Sequence, residues 1–228
     1  MADSEYDKPE EKAFSALYAA YAAGCLDPAF ALLVETQSAL RTDIANDVAR
    51  AEIIAGSLLE QQPPVEMSDR AIDRAMAAID AFDTDATYAA RAAEAAGGAL
   101  DELLALPEPL RTHVLDSAGS GGWKFSAPGL RRLPIDIDSA AEVELYRIAP
   151  GASVPRHSHD GAEYTLVVSG GFTDETGSYG PGDVAVKGPD DTHQPVGDAG
   201  APCFALAVRD GGLRFMGVAG VLQRVIRT

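Results

Sequence analysis

The stretch Gly151–Gly170, GASVPRHSHDGAEYTLVVSG, constrains this chain more than any other. It carries His157 and His159 one residue apart, Glu163 four residues further on, and a glycine at either end. In an extended strand, residues i and i+2 point to the same face, so the two imidazoles are presented together. Glu163 keeps that parity, although Asp160-Gly161 suggests a turn that re-aims it. His193 lies 30 residues beyond Glu163, after a Pro-Asp-Asp-Thr turn, and can return from a second hairpin. Three of the four histidines in the chain fall in this set. Three imidazoles and a carboxylate form a metal-ligand group suited to Zn(II), Fe(II), Mn(II), Ni(II) or Cu(II), and residue types alone do not choose among them. The fourth histidine, His113, stands by itself and reads as a surface residue.

A β-rich region must supply the convergence that such a site needs. From Trp123 onward, short runs of β-formers alternate with Gly, Pro and Asp clusters. The runs are Glu142–Ile148, Glu163–Val168, Val184–Lys187 and Phe204–Val208. That punctuation predicts an antiparallel sandwich or barrel. Besides the four site residues, the acid–base candidates are Tyr146, Tyr164, Tyr179, Asp174 and Glu175, and the tyrosines read as wall packing.

The first hundred residues have a different texture, dominated by alanine, leucine and acidic residues. Apolar positions at Phe14, Leu17, Tyr18 and Tyr21 predict a helix over Glu10–Ala23. Gly24 suits a left-handed C-cap. Asp27-Pro28 reads as the N-cap and first position of a second helix with Phe30, Leu33 and Leu40 on its apolar face. A third helix is expected from Thr42 or Asp43 to about Glu60, using Val48, Ile53, Ile54 and Leu58. Pro63-Pro64 interrupts the pattern. Ser68 can cap a fourth helix carrying Ile72, Met76, Ile79 and Phe82. Nothing here is catalytic on its face, and the region reads as a binding module. Gly97-Gly98, Pro107, Pro109 and the run SAGSGG mark a connector. The expected fold class is therefore α+β multidomain: an all-α region at 1–95, a linker at 96–122 and an all-β region at 123–228.

Charge narrows the partners. The net charge is −17, and residues 1–110 carry 21 Asp/Glu against 7 Lys/Arg. Such a surface repels phosphates, which argues against nucleic acid and anionic membranes; on composition alone it reads first as a means of solubility, and more sharply as a surface shaped for a basic protein. No apolar run reaches the length of a membrane span, and the acidic start is neither a signal nor a transit peptide, so a cytoplasmic location is expected. Cys25 and Cys203 are far apart and read as reduced, buried thiols.

The spacing from Gly151 through His157, His159 and Glu163 to Gly170 matches the first cupin motif at each fixed position. Gly182 and His193, with Pro189 nearby, fit the second motif more loosely, because Asp190-Asp191 occupy the region of its usual glycine. The resemblance implies a cupin barrel over about residues 120–210, with His157, His159, Glu163 and His193 as metal ligands. A wider resemblance spans nearly the whole chain. Leu17–Leu33, Ala55–Glu60 and the segment HSHDGAEYTLVVSGGFTDETGSYGPGD look like ChrR-type anti-sigma factors. In that family a helical domain holds an extracytoplasmic-function-class sigma factor inactive, and the cupin domain is implied to sense stress, typically reactive oxygen such as singlet oxygen. One departure matters. The family's helical domain binds zinc through an early histidine and an H-x3-C-x2-C pattern, whose positions are Gln37, Arg41 and Ile44 here. This half should bind no zinc, and packing alone is expected to hold Thr36–Arg41.

Three functions follow. The first is an anti-sigma factor that binds a sigma factor through its acidic helices and carries one divalent ion per chain, zinc foremost, in the cupin. The second is a cupin metalloenzyme: a dioxygenase, isomerase or lyase whose metal keeps an open position. The third is a paralogue that has lost sigma binding and senses a metal or small molecule.

Overall fold

The computed structural model describes residues 9–81 and 100–215. Helices come first: α1 (Pro9–Ala22), α2 (Pro28–Leu40), α3 (Thr42–Glu60), α4 (Ala71–Ala81), α5 (Leu100–Leu104) and α6 (Leu110–Ser120). Among the described residues twelve short strands follow, from β1 (Lys124–Ala127) to β12 (Leu213–Phe215). This is the expected α+β arrangement, with helices leading and a β-barrel region behind.

Local chemistry sets the helix ends. Gly24 adopts φ +67° after α1. The Asp27 carboxylate accepts from the Ala29 amide at 2.9 Å, capping α2 with Pro28 in its first turn. Asp27 also accepts from the Ser139 hydroxyl at 2.7 Å, which ties the cap to the β-region. The Ser68 side chain accepts from Arg74 rather than capping α4, which starts at Ala71. Phe82, expected at the end of this helix, lies outside the described residues.

The main sheet has six strands in the order β1, β2 (Leu130–Pro134), β3 (Glu142–Ile148), β11 (Cys203–Arg209), β5 (Glu163–Ser169) and β8 (Val184–Lys187). Both of its faces are covered. Val143, Leu145, Leu166, Val168, Phe204, Leu206 and Val208 join Ala29, Leu32 and Leu33 of α2 and Leu103, Leu110 and Val114 around α5 and α6 in one core. The alternate positions, Ile148, Val167, Ala185, Cys203 and Ala205, face the barrel interior with Phe172. Each leucine buried in this way contributes roughly 1.5–3 kcal/mol. Residues 100–120, expected as part of a linker, are largely helical, and Leu103, Leu106, Leu110, Val114 and Ala118 are buried against the sheet. His113 lies in α6, half-buried and away from the other histidines.

A second, smaller core is formed by Tyr18, Val34 and Val48, with Phe14, Leu17, Tyr21 and Ile44 packed around it. Helix α2 thus serves both cores, giving Val34 to one and Leu32 and Leu33 to the other. The remaining expected apolar face of α3 is not covered: Ile53, Ile54 and Leu58 are exposed.

Candidate metal centre

Strand β4 (His157–His159) lies between β9 (Thr192–His193) and β12 in a three-stranded sheet. Its ladder with β9 places His157 directly opposite His193. Glu163 arrives from the main sheet as the first residue of β5, the chain having turned at Asp160-Gly161. His157, His159, Glu163 and His193 are all buried, and their donor atoms lie within 4.8 Å of one another. Among the described residues this is the group of His, Cys, Asp or Glu that meets this condition.

The donor atoms are spaced for a small ion. His157 Nε2 and His193 Nε2 are 3.0 Å apart, and Glu163 Oε1 is 3.4 Å from His159 Nε2 and 3.9 Å from His193 Nε2. Bonds of about 2.0–2.1 Å at tetrahedral angles would set donors about 3.3 Å apart. Both ring nitrogens of His159 are buried without a hydrogen-bond partner. Such orphaned atoms are costly unless something else satisfies them, and an ion at the cluster would do so. The outer nitrogens of the other two rings are occupied. His157 Nδ1 donates to the Pro155 carbonyl at 2.9 Å, and His193 Nδ1 meets Asp174 Oδ2 at 2.9 Å. Each ring therefore turns Nε2 inward. The buried cluster fits a divalent metal ion.

Electrostatics agree with that fit. Burial and the neighbouring His193 push His157 down to about 4, so its imidazole is neutral at neutral pH. Burial also lowers His193, against the opposing pull of Asp174. Burial alone would raise Glu163, but the close approach of His159 and the Arg209 guanidinium outweigh it and hold the carboxyl at about 2. His157 and His193 thus present neutral nitrogen donors beside an ionised carboxylate, the protonation states that metal binding requires.

Several functional side chains were not singled out from the sequence. Arg209 ends a strand that is buried along its whole length, and pairs in register with Glu163. Its guanidinium lies 3.6 Å from Glu163 Oε2 and donates to Glu144 at 2.7 Å, to Glu142 at 3.0 Å and to the Tyr146 hydroxyl at 3.0 Å. Tyr146 in turn donates to Glu144 at 2.6 Å, and Arg132 also pairs with Glu144. A charge capping an otherwise apolar run was the available signal for Arg209. Of the other tyrosines, Tyr164 packs edge-on against Phe14 and Phe30, and Tyr179 stacks on Phe172. A cavity of about 60 Å³ beside the cluster is lined by Tyr146, Ile148, Val154, Phe172 and Leu213 with His157, Glu163 and His193.

The positions that carry zinc ligands in the family's helical domain hold different chemistry. Gln37 is buried and donates to the Gly182 carbonyl at 3.1 Å. Arg41 pairs with Asp43 at 2.6 Å and with Asp183 at 3.2 Å. Ile44 packs on the smaller core. Packing alone does not hold Thr36–Arg41: two polar side chains fasten it to the turn before β8. Gly182 has φ +87°, and a Cβ there would come within 2.6 Å of Arg41 Cδ, so the turn needs glycine.

A histidine-rich site inside a small antiparallel barrel, with helices laid on the barrel's outer sheet, defines a helical protein with a cupin-type domain whose interior carries a candidate metal site. Residues 113–209 match the ChrR cupin-like domain family. The chain is 34% identical over 200 residues to the anti-sigma-E factor ChrR of Cereibacter sphaeroides, covering 88% of this chain and 89% of that protein. It is also similar to the crystal structure of Rhodobacter sphaeroides SigE in complex with the anti-sigma ChrR. That match has a TM-score of 0.64 and 32% identity, covering 86% of this chain and 96% of that one. The chain belongs to the ChrR family of anti-sigma factors, and so to regulators rather than to the enzymes built on cupin barrels. No described helix is long and apolar enough to cross a membrane.

Proposed function

We propose that this protein is a cytoplasmic anti-sigma factor that sequesters a sigma factor of the extracytoplasmic-function class and releases it on an oxidative signal such as singlet oxygen. In this reading residues 1–95 make the partner-binding module and residues 123–228 the sensing one. The observation that carries it is an uncovered apolar row. Ile53, Ile54, Leu58 and Leu59 of α3, Val65 and Met67 beyond it, and Ile72, Met76 and Ile79 of α4 are each between 53 and 89% exposed. Contiguous exposed apolar surface on a soluble chain marks a protein interface. Ile54 and Leu58 also line a groove between α1 and α3 of about 660 Å³, which Asp43 and Asp47 share. Arg50 lines the groove as well, paired with Asp47, so the groove itself suits an amphipathic helix, and the acidic excess of residues 1–110 favours a basic one, of the kind a DNA-binding protein presents.

His157, His159, Glu163 and His193 would hold one divalent ion, with zinc as our assignment. When bound, the ion supplies a cross-link among β4, β5 and β9 and has, as zinc, no redox chemistry of its own. The protein side chains would then be what an oxidant alters. Arg209 orients Glu163, and Gln37 and Arg41 tie the neighbouring β8 turn to α2, so disturbance of the barrel has a physical route to the helices.

Co-expression with extracytoplasmic-function sigma factors followed by pull-down tests the proposal. Co-purification of a stable complex, lost when Ile54 and Ile79 are both changed to Asp, is the expected result. If none of the sigma factors binds, the reading fails. The small cavity beside the cluster would then favour the alternative of a metal or small-molecule sensor without a sigma partner.

A further inference from the structure

The hairpin turn joining β6 (Phe172–Asp174) to β7 (Gly177–Tyr179) reaches across to His193 and Gln194 with two adjacent carboxylates, Asp174 and Glu175. Asp174 Oδ2 meets His193 Nδ1 at 2.9 Å, and its side chain is wholly buried. Its other oxygen accepts from the Thr176 amide at 2.8 Å, the Thr176 hydroxyl at 2.7 Å and the Gly177 amide at 3.2 Å. Lys187, also buried, lies 3.1 Å from Oδ2 and donates to the Thr176 hydroxyl at 2.5 Å. Glu175 then brackets the same strand from outside. Its oxygens accept from the Gln194 amide at 3.0 Å and from Arg156 at 2.5 Å, so it joins the residue after His193 to the residue before His157.

This arrangement does more than stabilise a turn. The β4–β9 ladder is only two residues long, His157 with His193 and Ser158 with Thr192, and cannot fix a ring orientation. A buried carboxylate held by three hydrogen-bond donors and the Lys187 ammonium besides the imidazole has no freedom to turn away. A carboxylate accepting from Nδ1–H selects the tautomer whose bare Nε2 faces the cluster, and partners of this kind set the orientation and basicity of ligating histidines.

We propose that Asp174, held in place by Lys187 and Thr176, is the positioning residue for His193: it fixes the Nδ1–H tautomer and aims Nε2 at the metal, which governs how long the site keeps its ion. The inference rests on the reading of the four-residue cluster as a metal site. Glu175, through Gln194 and Arg156, holds the two histidine strands at the matching separation.

The test uses the full-length, zinc-loaded protein and follows transfer of zinc to an excess of a chromogenic chelator. Asp174→Ala should release zinc roughly 10–100-fold faster than the parent. Asp174→Asn, which keeps an acceptor, should recover part of the difference. Because Asp174→Ala strands the Lys187 charge, the double variant Asp174→Asn with Lys187→Met serves as a control without that penalty, and should also lose zinc faster than the parent. A structural role alone would not alter the imidazole tautomer. Long-range ¹⁵N–¹H NMR on the metal-free chain should therefore show His193 as Nδ1–H in the parent and a mixture in Asp174→Ala. Folded variants with the parental release rate and the parental tautomer would overturn the inference while leaving the metal site intact. A parent that binds no zinc, or a His157→Ala variant that binds it equally well, would overturn the metal reading and this inference with it.

Discussion

Gln37 on α2 donates its side-chain amide to the carbonyl of Gly182, a residue 145 positions away, over 3.1 Å in a buried setting. Four residues on, Arg41 reaches Asp183, but with both side chains about two-fifths exposed. Burial decides which contact matters. Gln37→Leu leaves the Gly182 carbonyl unpaired and should cost about 1–3 kcal/mol. Arg41→Ala loses two solvent-screened pairs, with Asp183 and Asp43, and should still cost no more than about 1 kcal/mol. Urea unfolding of the two variants measures the difference. Equal losses would mean that the contacts are not ranked by burial.

The metal cluster predicts a stoichiometry. Elemental analysis should find about one divalent ion per chain, since Gln37, Arg41 and Ile44 offer no second site. His157→Ala should remove it. Chelation of the parent should lower the midpoint of thermal unfolding, because an ion that binds only the folded chain stabilises it by mass action. Two ions per chain, or a midpoint insensitive to chelation, would contradict the assignment.

The exposed row on α3 and α4 should separate binding from folding. Ile54→Asp and Ile79→Asp should change stability by less than about 0.5 kcal/mol, as is usual for surface positions. Leu33→Ala, in the shared core, should cost about 2–5 kcal/mol. If the two aspartate variants unfold as readily as Leu33→Ala, those isoleucines are covered in the free protein and cannot be its docking surface.

The two thiols should behave differently. Cys203 faces the barrel interior, as expected, and burial pushes its thiol up to about 12, whereas Cys25, also expected to be buried, is exposed because it sits in the turn between α1 and α2. A thiol-specific reagent at pH 8 should therefore label one cysteine per native chain and two after denaturation. Rapid native labelling of both would require the barrel to open readily.

Acid should weaken the charge network behind the cluster. Burial raises Glu144, but Arg209, Tyr146 and Arg132 together outweigh it and lower its carboxyl from the ordinary 4.5. The unfolded chain then takes up this proton at a higher pH than the folded one. The contribution of Glu144 is complete above 4.5 and fades as the pH falls toward its lower folded value. Comparing the acid-side stability profile of the parent with that of Glu144→Gln isolates it. Parallel profiles would rule out a folded-state shift at Glu144.

Much of this architecture is written locally. The strands at Glu142–Ile148 and Val184–Lys187 match their sequence-based limits because glycine, proline and aspartate clusters bound them. The four site residues are legible because their spacing is fixed. Arg209 and Lys187 were not, since strand register alone sets each beside Glu163. Residues 100–120 looked like a connector because their Gly and Pro punctuation masks Leu103, Leu110 and Val114, which acquire meaning only against the sheet. Ile53, Ile54 and Leu58 misled in the opposite direction. Periodicity shows that a helix has an apolar face, but not whether its cover belongs to the same chain.

Helix α2 gives Leu32 and Leu33 to the sheet and Val34 to the small helical core. A segment shared in this way links the folding of its two neighbours: neither can melt without stripping one side of the other. The halves of the chain differ in composition and in secondary structure, yet a single unfolding transition is the thermodynamic consequence. Injury to the barrel would then be felt by the helices as a loss of cooperativity, without any signal having to travel between separate parts.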